Sequence, residues 1–211
     1  MEKRNYYHLI ILDASGSMDI IRQTALNGCN ETIQHIENLQ KKAPAEEKHF
    51  LSLVVFNSSE RHNHLYDCSP IEEVMLLSLD KYVPEDCTPL YDAIGFSCKH
   101  LEQHIDKTSK ADKNFVLATI ITDGQENDST EFNADNIRRF VEQHKDSGWT
   151  FAFIGANQDE VFEAQKLGIK NTLHFEQDAA GTAKMFKAFR RASSRFCEAA
   201  ATESLEERLF D

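Results

Sequence analysis

Apolar runs of strand length punctuate the chain, and after most of them apolar residues recur every three or four positions. The first run is Tyr7-His8-Leu9-Ile10-Ile11-Leu12 and the second Phe50-Leu51-Ser52-Leu53-Val54-Val55-Phe56. The third is Phe115-Val116-Leu117-Ala118-Thr119-Ile120-Ile121-Thr122 and the fourth Trp149-Thr150-Phe151-Ala152-Phe153-Ile154. Strands that are apolar on both faces belong between two layers of helix, as in a parallel sheet. Leu26, Cys29, Ile33 and Ile36 predict an amphipathic helix over 18–42, with Pro44 beyond its end. Leu90, Ile94, Ser97, Leu101 and Ile105 predict a second, with Pro89 as its first residue and Thr88 as its cap. Ile137, Phe140, Val141 and His144 mark a third, stopped near Gly148, and Val161 to Leu167 a short fourth. The last helix starts near Asp178. It buries Met185, Phe189, Ala192 and Phe196 and keeps Lys184, Lys187, Arg190, Arg191 and Arg195 on its wet side.

Shorter pieces complete the pattern. Asn57-Ser58-Ser59-Glu60 is a turn too short for a parallel return, so 61–67, alternating around Leu65, is expected to be an antiparallel edge strand. Ile71 to Leu79 reads as a short helical segment behind Pro70, and Thr172 to Phe175 as a short strand. Strands alternating with helices predict an α/β, doubly wound sheet covered on both faces. The expected organisation is one domain over 1–197 and an acidic extension over 198–211, either a frayed helix or a disordered tail. No internal repeat interrupts it.

Composition narrows the partners. The 211 residues are 41% hydrophobic and 27% charged, which suits a globular chain. The formal net charge of -12 repels phosphate backbones, so nucleic acid is not an expected partner. No apolar run approaches the roughly 20 residues of a membrane helix, so no membrane association is expected. A cleavable signal segment is not expected either, since 1–5 leads directly into the first strand. The five cysteines are odd in number and show no CxxC spacing, which points to reduced thiols and a cytoplasmic location.

The chemistry sits where two of the strands end. The first stops at Asp13, followed by Ala14-Ser15-Gly16-Ser17, and the third at Asp123-Gly124. Asp13, Ser15 and Ser17 are hard oxygen donors that suit Mg²⁺ or Ca²⁺. The same residue types also serve as helix caps. In an open doubly wound sheet, ligands collect beyond the carboxyl ends of the strands where the strand order reverses. Neighbouring strands there would turn both aspartates toward one crevice, with the Thr88 hydroxyl beneath the same edge.

Asp13-Ala14-Ser15-Gly16-Ser17, Thr88-Pro89-Leu90-Tyr91-Asp92-Ala93-Ile94 and Ile121-Thr122-Asp123-Gly124 resemble, in order and context, the three motifs of a von Willebrand factor type A (vWA) domain. The likeness extends over roughly 5–197. It implies a mostly parallel six-stranded sheet with one short antiparallel strand. It also implies a metal-ion-dependent adhesion site, in which Ser15, Ser17 and Thr88 touch Mg²⁺ through their hydroxyls and Asp13 and Asp123 bind it directly or through water. Mn²⁺ and Ca²⁺ are the alternative ions. The family usually carries glycine directly before the threonine, where this chain has Asp86-Cys87. Cys87 reaches positive φ less cheaply than glycine, so a differently set loop is expected. Glu126 and Asn127 are either supports of the site or solvated loop residues.

The implied function is capture of a partner protein's Asp or Glu carboxylate through the metal. By analogy with intracellular proteins of this type, the partner would sit in an ATPase-containing complex. The alternative is a metal-assisted phosphohydrolase built on a strand-end aspartate. That chemistry, in the haloacid dehalogenase manner, wants a second aspartate where Ser15 stands and a lysine near Asp123, and has neither. Ser15 also has no nearby histidine in sequence. Two histidine pairs, His62 with His64 and His100 with His104, have zinc-like spacing, but each is two ligands short of a structural site. Gly155-Ala156-Asn157-Gln158 lacks the GxxxxGKS pattern and is expected to be a turn and helix start.

Overall fold

A computed structural model describes residues 3–60, 62–145, 147–156, 158–202 and 208–210. Among the described residues six strands form one sheet: β1 Arg4–Asp13, β2 Glu47–Phe56, β3 Asn63–Pro70, β4 Lys113–Thr122, β5 Trp149–Gly155 and β6 Asn171–His174. Their order is β3-β2-β1-β4-β5-β6. All neighbours run parallel except β2 and β3, as the short turn at 57–60 requires. Arg61, where the edge strand was expected to begin, lies outside the described residues. The α-helices of the described residues flank the sheet: α1 Arg22–Lys42, α2 Leu90–Thr108, α3 Ala134–His144, α4 Gln158–Lys166 and α5 Ala179–Ala201.

The strand sequences explain the layering. Successive side chains of a strand point to opposite faces. Tyr6, Ile10 and Leu12 of β1 join the core beneath α1 and α5, and Tyr7, Leu9 and Ile11 join the core beneath α2, α3 and α4. Both faces are covered, so most positions are apolar, and exceptions such as His8 and Ser52 are buried with hydrogen-bond partners. On the first face α1 and α5 touch directly at Gly28, where a methyl group would lie 2.0 Å from the Phe186 ring. That contact accounts for a glycine in the middle of a helix, where its backbone entropy otherwise counts against it.

Three local expectations are corrected. The helix expected from Met18 begins as a 3₁₀ turn over Gly16–Ile21 and becomes α-helical only at Arg22. The segment expected to be helical over 71–79 has 3₁₀ turns at Ile71–Glu73 and Leu79–Lys81 with extended chain between them. Side chains take its backbone bonds instead: Asn30 Oδ1 accepts from the Leu77 amide at 2.7 Å, and the Tyr66 hydroxyl donates to Met75 O at 2.6 Å. Finally, α2 begins at Leu90, so Pro89 and not Thr88 takes the cap position, where it has no side-chain bond to give. The Tyr91 and Asp92 amides are met by Glu126 Oε2 at 2.9 Å and Ser129 Oγ at 3.0 Å, from the loop after β4.

Near the chain end, α5 continues to Ala201, and Leu209 is buried in the α1/α5 core. The Leu209 amide donates to Asn171 Oδ1 at 2.8 Å, and Arg195, expected on the wet side, donates to Leu209 O at 3.2 Å. Residues 203–207 and 211 of the acidic extension lie outside the described residues, as does Asn157 in the turn after β5.

Candidate metal centre

β1 pairs with β2 on one side and β4 on the other, so the strand order reverses between β1 and β4. Their register, Leu12 opposite Ile121, delivers Asp13 beside Thr122 and just short of Asp123. Thr122 Oγ1 donates to Asp13 Oδ2 at 2.5 Å, and the Ser15 amide donates to Asp13 Oδ1 at 2.6 Å. Both carboxylate oxygens are thereby held at fixed angles. Ser17 Oγ donates to Asp123 Oδ1 at 2.7 Å and lies 3.2 Å from Ser15 Oγ.

Gly124 shows how closely the remaining atoms converge. A Cβ placed there would lie 3.1 Å from Thr88 Oγ1, 3.7 Å from Asp13 Oδ2 and 3.8 Å from Ser15 Oγ. The structure therefore brings together all five residues singled out from the sequence: Asp13, Ser15, Ser17, Thr88 and Asp123. Their donors are two carboxylates and three hydroxyls beside Gly124, where a Cβ would press on Thr88 Oγ1. An oxygen-only donor set of this kind fits a hard divalent cation.

The electrostatics agree with the geometry. Asp13 is fully buried and Asp123 is 5% exposed, and among the described residues neither carboxylate pairs with a lysine or arginine. Burial raises the Asp13 carboxyl to about 6, against the opposing bonds from Thr122 and Ser15 and with further repulsion from Asp123. Burial also raises Asp123, against the bonds from Ser17 and Gln177. Two buried acids without a countercharge are costly unless protonated or matched by a cation.

The supporting residues were mostly invisible in the sequence. Tyr82, buried, donates its hydroxyl to Asp13 O at 2.7 Å. Arg22 clamps the same segment, donating to Tyr82 O and Leu79 O, each at 2.8 Å. Gln177 donates to Asp123 Oδ2 and to Ser17 O. Asn127 is a support: its Oδ1 accepts from the Thr88 amide at 2.8 Å, and its own amide donates to Thr88 O at 3.2 Å. Asp92, fully buried, accepts from the amides of Thr130, Glu131 and Phe132 at 2.8–2.9 Å. The sequence signals were weak, a polar residue at a core position of a helix for Asp92 and a tyrosine in a loop for Tyr82.

In the loop before Thr88 the residue in the left-handed region is Asp86, with φ 60°, and not Cys87. Asp tolerates the left-handed region better than most residues. Asp86 O accepts from the Gly16 amide at 3.1 Å, and its carboxylate accepts from Ser59.

No protein-family model matches the sequence, and no curated protein sequence does. Solved structures do match in shape. Proximal thread matrix protein 1 from the mussel byssus superposes with a TM-score of 0.58 at 12% identity, over 89% of this chain and 46% of its own. This chain thus spans about half the length of that protein, which has also been solved with zinc in its metal-ion-dependent adhesion site. The SpRpn10 VWA domain superposes with a TM-score of 0.55 at 9% identity, over 88% of this chain and 94% of its own. Manganese-loaded Plasmodium vivax TRAP protein gives 0.55 at 17% identity, over 90% and 74%. With the strand order, the single antiparallel edge and the flanking helices, these superpositions show that the chain has the fold of a von Willebrand factor type A domain.

Proposed function

We propose that the chain is a metal-ion-dependent protein-interaction module and not an enzyme. One observation carries the reading: five oxygen-bearing side chains from three separate loops converge on the space beside Gly124, with two buried carboxylates that lack a cationic partner among the described residues. Asp13, Ser15, Ser17, Thr88 and Asp123 would hold Mg²⁺, with Mn²⁺ as a substitute. When bound, the ion supplies positive charge and a ligand position open to an outside carboxylate. Ser17 is exposed, so the site can be reached from outside. The hydrogen bond of Ser15 Oγ goes to Ser17 and to no imidazole, which argues against a nucleophilic serine.

The surroundings suit a protein partner. Ile20, three residues after Ser17, is 78% exposed, and Met75, Leu76, Leu79 and Val83 are exposed on the segment that Arg22 and Tyr82 tie to the site. Apolar side chains left in water beside a polar centre mark interaction surfaces. The partner we propose is a protein offering an Asp or Glu carboxylate amid apolar or basic neighbours, in an assembly of the kind built around an ATPase; the last clause is fold-level analogy. A cytoplasmic setting is supported by the five cysteines, all unpaired, with Cys87 exposed. Among the described residues no helix is long and apolar enough to cross a membrane.

The test is affinity capture of partners with Mg²⁺ and with EDTA, repeated with Ser15→Ala and Asp123→Ala. Capture should require the metal and fail with either variant, and an Asp→Asn or Glu→Gln change in the partner should abolish it. Capture indifferent to EDTA and to both variants refutes the proposal.

A further inference from the structure

The sequence offers two histidine pairs; the structure leaves His62 and His64 edge to face, with ring centroids 6.3 Å apart, and brings His64 to a different partner. His104 turns its ring edge to Tyr7. His62 stacks on Phe96. His64 of β3 and His100 of α2 meet instead, with ring centroids 4.9 Å apart and Asp67 between them. His100 Nε2 lies 3.0 and 2.9 Å from the two Asp67 oxygens. His64 Nδ1 lies 3.9 Å from Asp67 Oδ1, too far for a hydrogen bond. That nitrogen is buried and has no hydrogen-bond partner. Two imidazole nitrogens and a carboxylate oxygen thus sit within 4.8 Å of one another.

The backbone is bent to achieve this. In a regular strand, residues three apart point to opposite faces, and His64 and Asp67 are three apart. Between them and just beyond, the pairing with β2 shifts register twice, at Leu51/Leu53 and at Leu53/Val54. Cys68 follows with φ 46°, its amide donating to Ser52 Oγ at 3.0 Å in place of a ladder bond. A cysteine at positive φ costs on the order of 1–3 kcal/mol. Bulges re-aim side chains, and they recur beside functional sites. Here the irregularity puts Asp67 on the face that looks at α2.

We propose that His64, Asp67 and His100 bind a zinc-class transition metal ion and so fasten the edge strand to α2. The donor set is right: imidazoles with one carboxylate and an open fourth position suit Zn²⁺ better than Mg²⁺. The spacing is right as well. Tetrahedral bonds of about 2.0–2.2 Å place ligand atoms about 3.3–3.5 Å apart, and the two observed separations, 2.9 and 3.9 Å, straddle that value. The other mixed cluster, His8, His49 and Cys197, is already complete without metal. His8 Nε2 lies 3.1 Å from His49 Nδ1, and His8 Nδ1 lies 3.3 Å from Ser193 Oγ.

Co²⁺ reports the geometry, because a tetrahedral site absorbs strongly in the visible and an octahedral oxygen site only weakly. The full chain carrying Asp123→Ala is titrated with Co²⁺. In parallel the unaltered chain is titrated in excess Mg²⁺, which covers any folding defect of the variant. One equivalent should give the tetrahedral bands, and Zn²⁺ should bleach them. His64→Ala or His100→Ala should weaken binding by at least about tenfold, since loss of an outer support alone costs that much; His104→Ala should not. No tetrahedral band, a band indifferent to His64→Ala and His100→Ala, or a near-ultraviolet thiolate band that assigns the ion to Cys197 each overturns the proposal. None of these results bears on the Asp13–Asp123 site.

Discussion

Asp13→Asn should stabilise the metal-free protein at neutral pH. Burial holds the Asp13 carboxyl at about 6 against an ordinary 3.8. A folded-state pKa above the unfolded one means that the native state holds the proton more tightly. The stability so gained is complete below about 3.8 and is lost as pH rises through about 6. The shift corresponds to about 3 kcal/mol, an order-of-magnitude figure. The amide removes this cost and should be accommodated in place. Its nitrogen can donate to Thr122 Oγ1, whose own proton turns to Gly124 O at 3.1 Å, while its oxygen keeps the Ser15 amide. The assay is urea unfolding of both proteins in EDTA from pH 4 to 8. Taking the difference between variant and parent cancels the titration of groups they share. That difference should grow in the variant's favour by about 3 kcal/mol between pH 4 and pH 7 and then level off. Saturating Mg²⁺ should reverse the order, because only the parent binds the ion. A difference that stays flat with pH, or moves toward the parent, refutes the claim that Asp13 is a buried, uncompensated acid.

Other consequences follow from single contacts. Gly124→Ala should leave the fold intact by circular dichroism yet abolish Mg²⁺ binding in calorimetry, since its methyl would stand 3.1 Å from Thr88 Oγ1 and fill the space between the donors; unchanged binding would move the site elsewhere. His49, lowered to about 4 by burial, is neutral in the fold, so its contribution is present above about 6.5 and is lost as pH falls through about 4. His49→Gln should flatten that acid limb of the stability curve by about 3 kcal/mol at most, and an unaltered limb would assign it to other groups.

What could be read from the sequence was whatever repeats a local rule. The apolar runs of β1, β2, β4 and β5 declared themselves because burial on both faces leaves few polar positions. The strand-end aspartates stood out because an apolar strand has no folding reason to end in a carboxylate. Contacts between distant segments stayed hidden. Nothing near Thr88 announces that Asn127 holds it, or that Tyr82 reaches the backbone of Asp13 across 69 positions. The 71–79 segment misled because its apolar residues mimic a helical face, while its backbone bonds go to Asn30 and Tyr66. The histidines misled because pairs were sought within one element, and His64 meets His100 only through a bulge that alternation cannot show.

The clasp between α2 and the loop after β4 works in both directions. Glu126 and Ser129 take the helix's first free amides, and Asp92 of the helix takes three amides of the loop. A segment of this kind, left in water, would carry about 1–2 kcal/mol of backbone entropy per residue. Here that freedom is surrendered when the chain folds, not when a ligand arrives. Residues 126–132 should therefore exchange their clasped amide protons slowly even in EDTA. Ligand binding then incurs little further ordering cost, so the affinity of the site is set by its oxygens and not by the disorder of the loop that presents them.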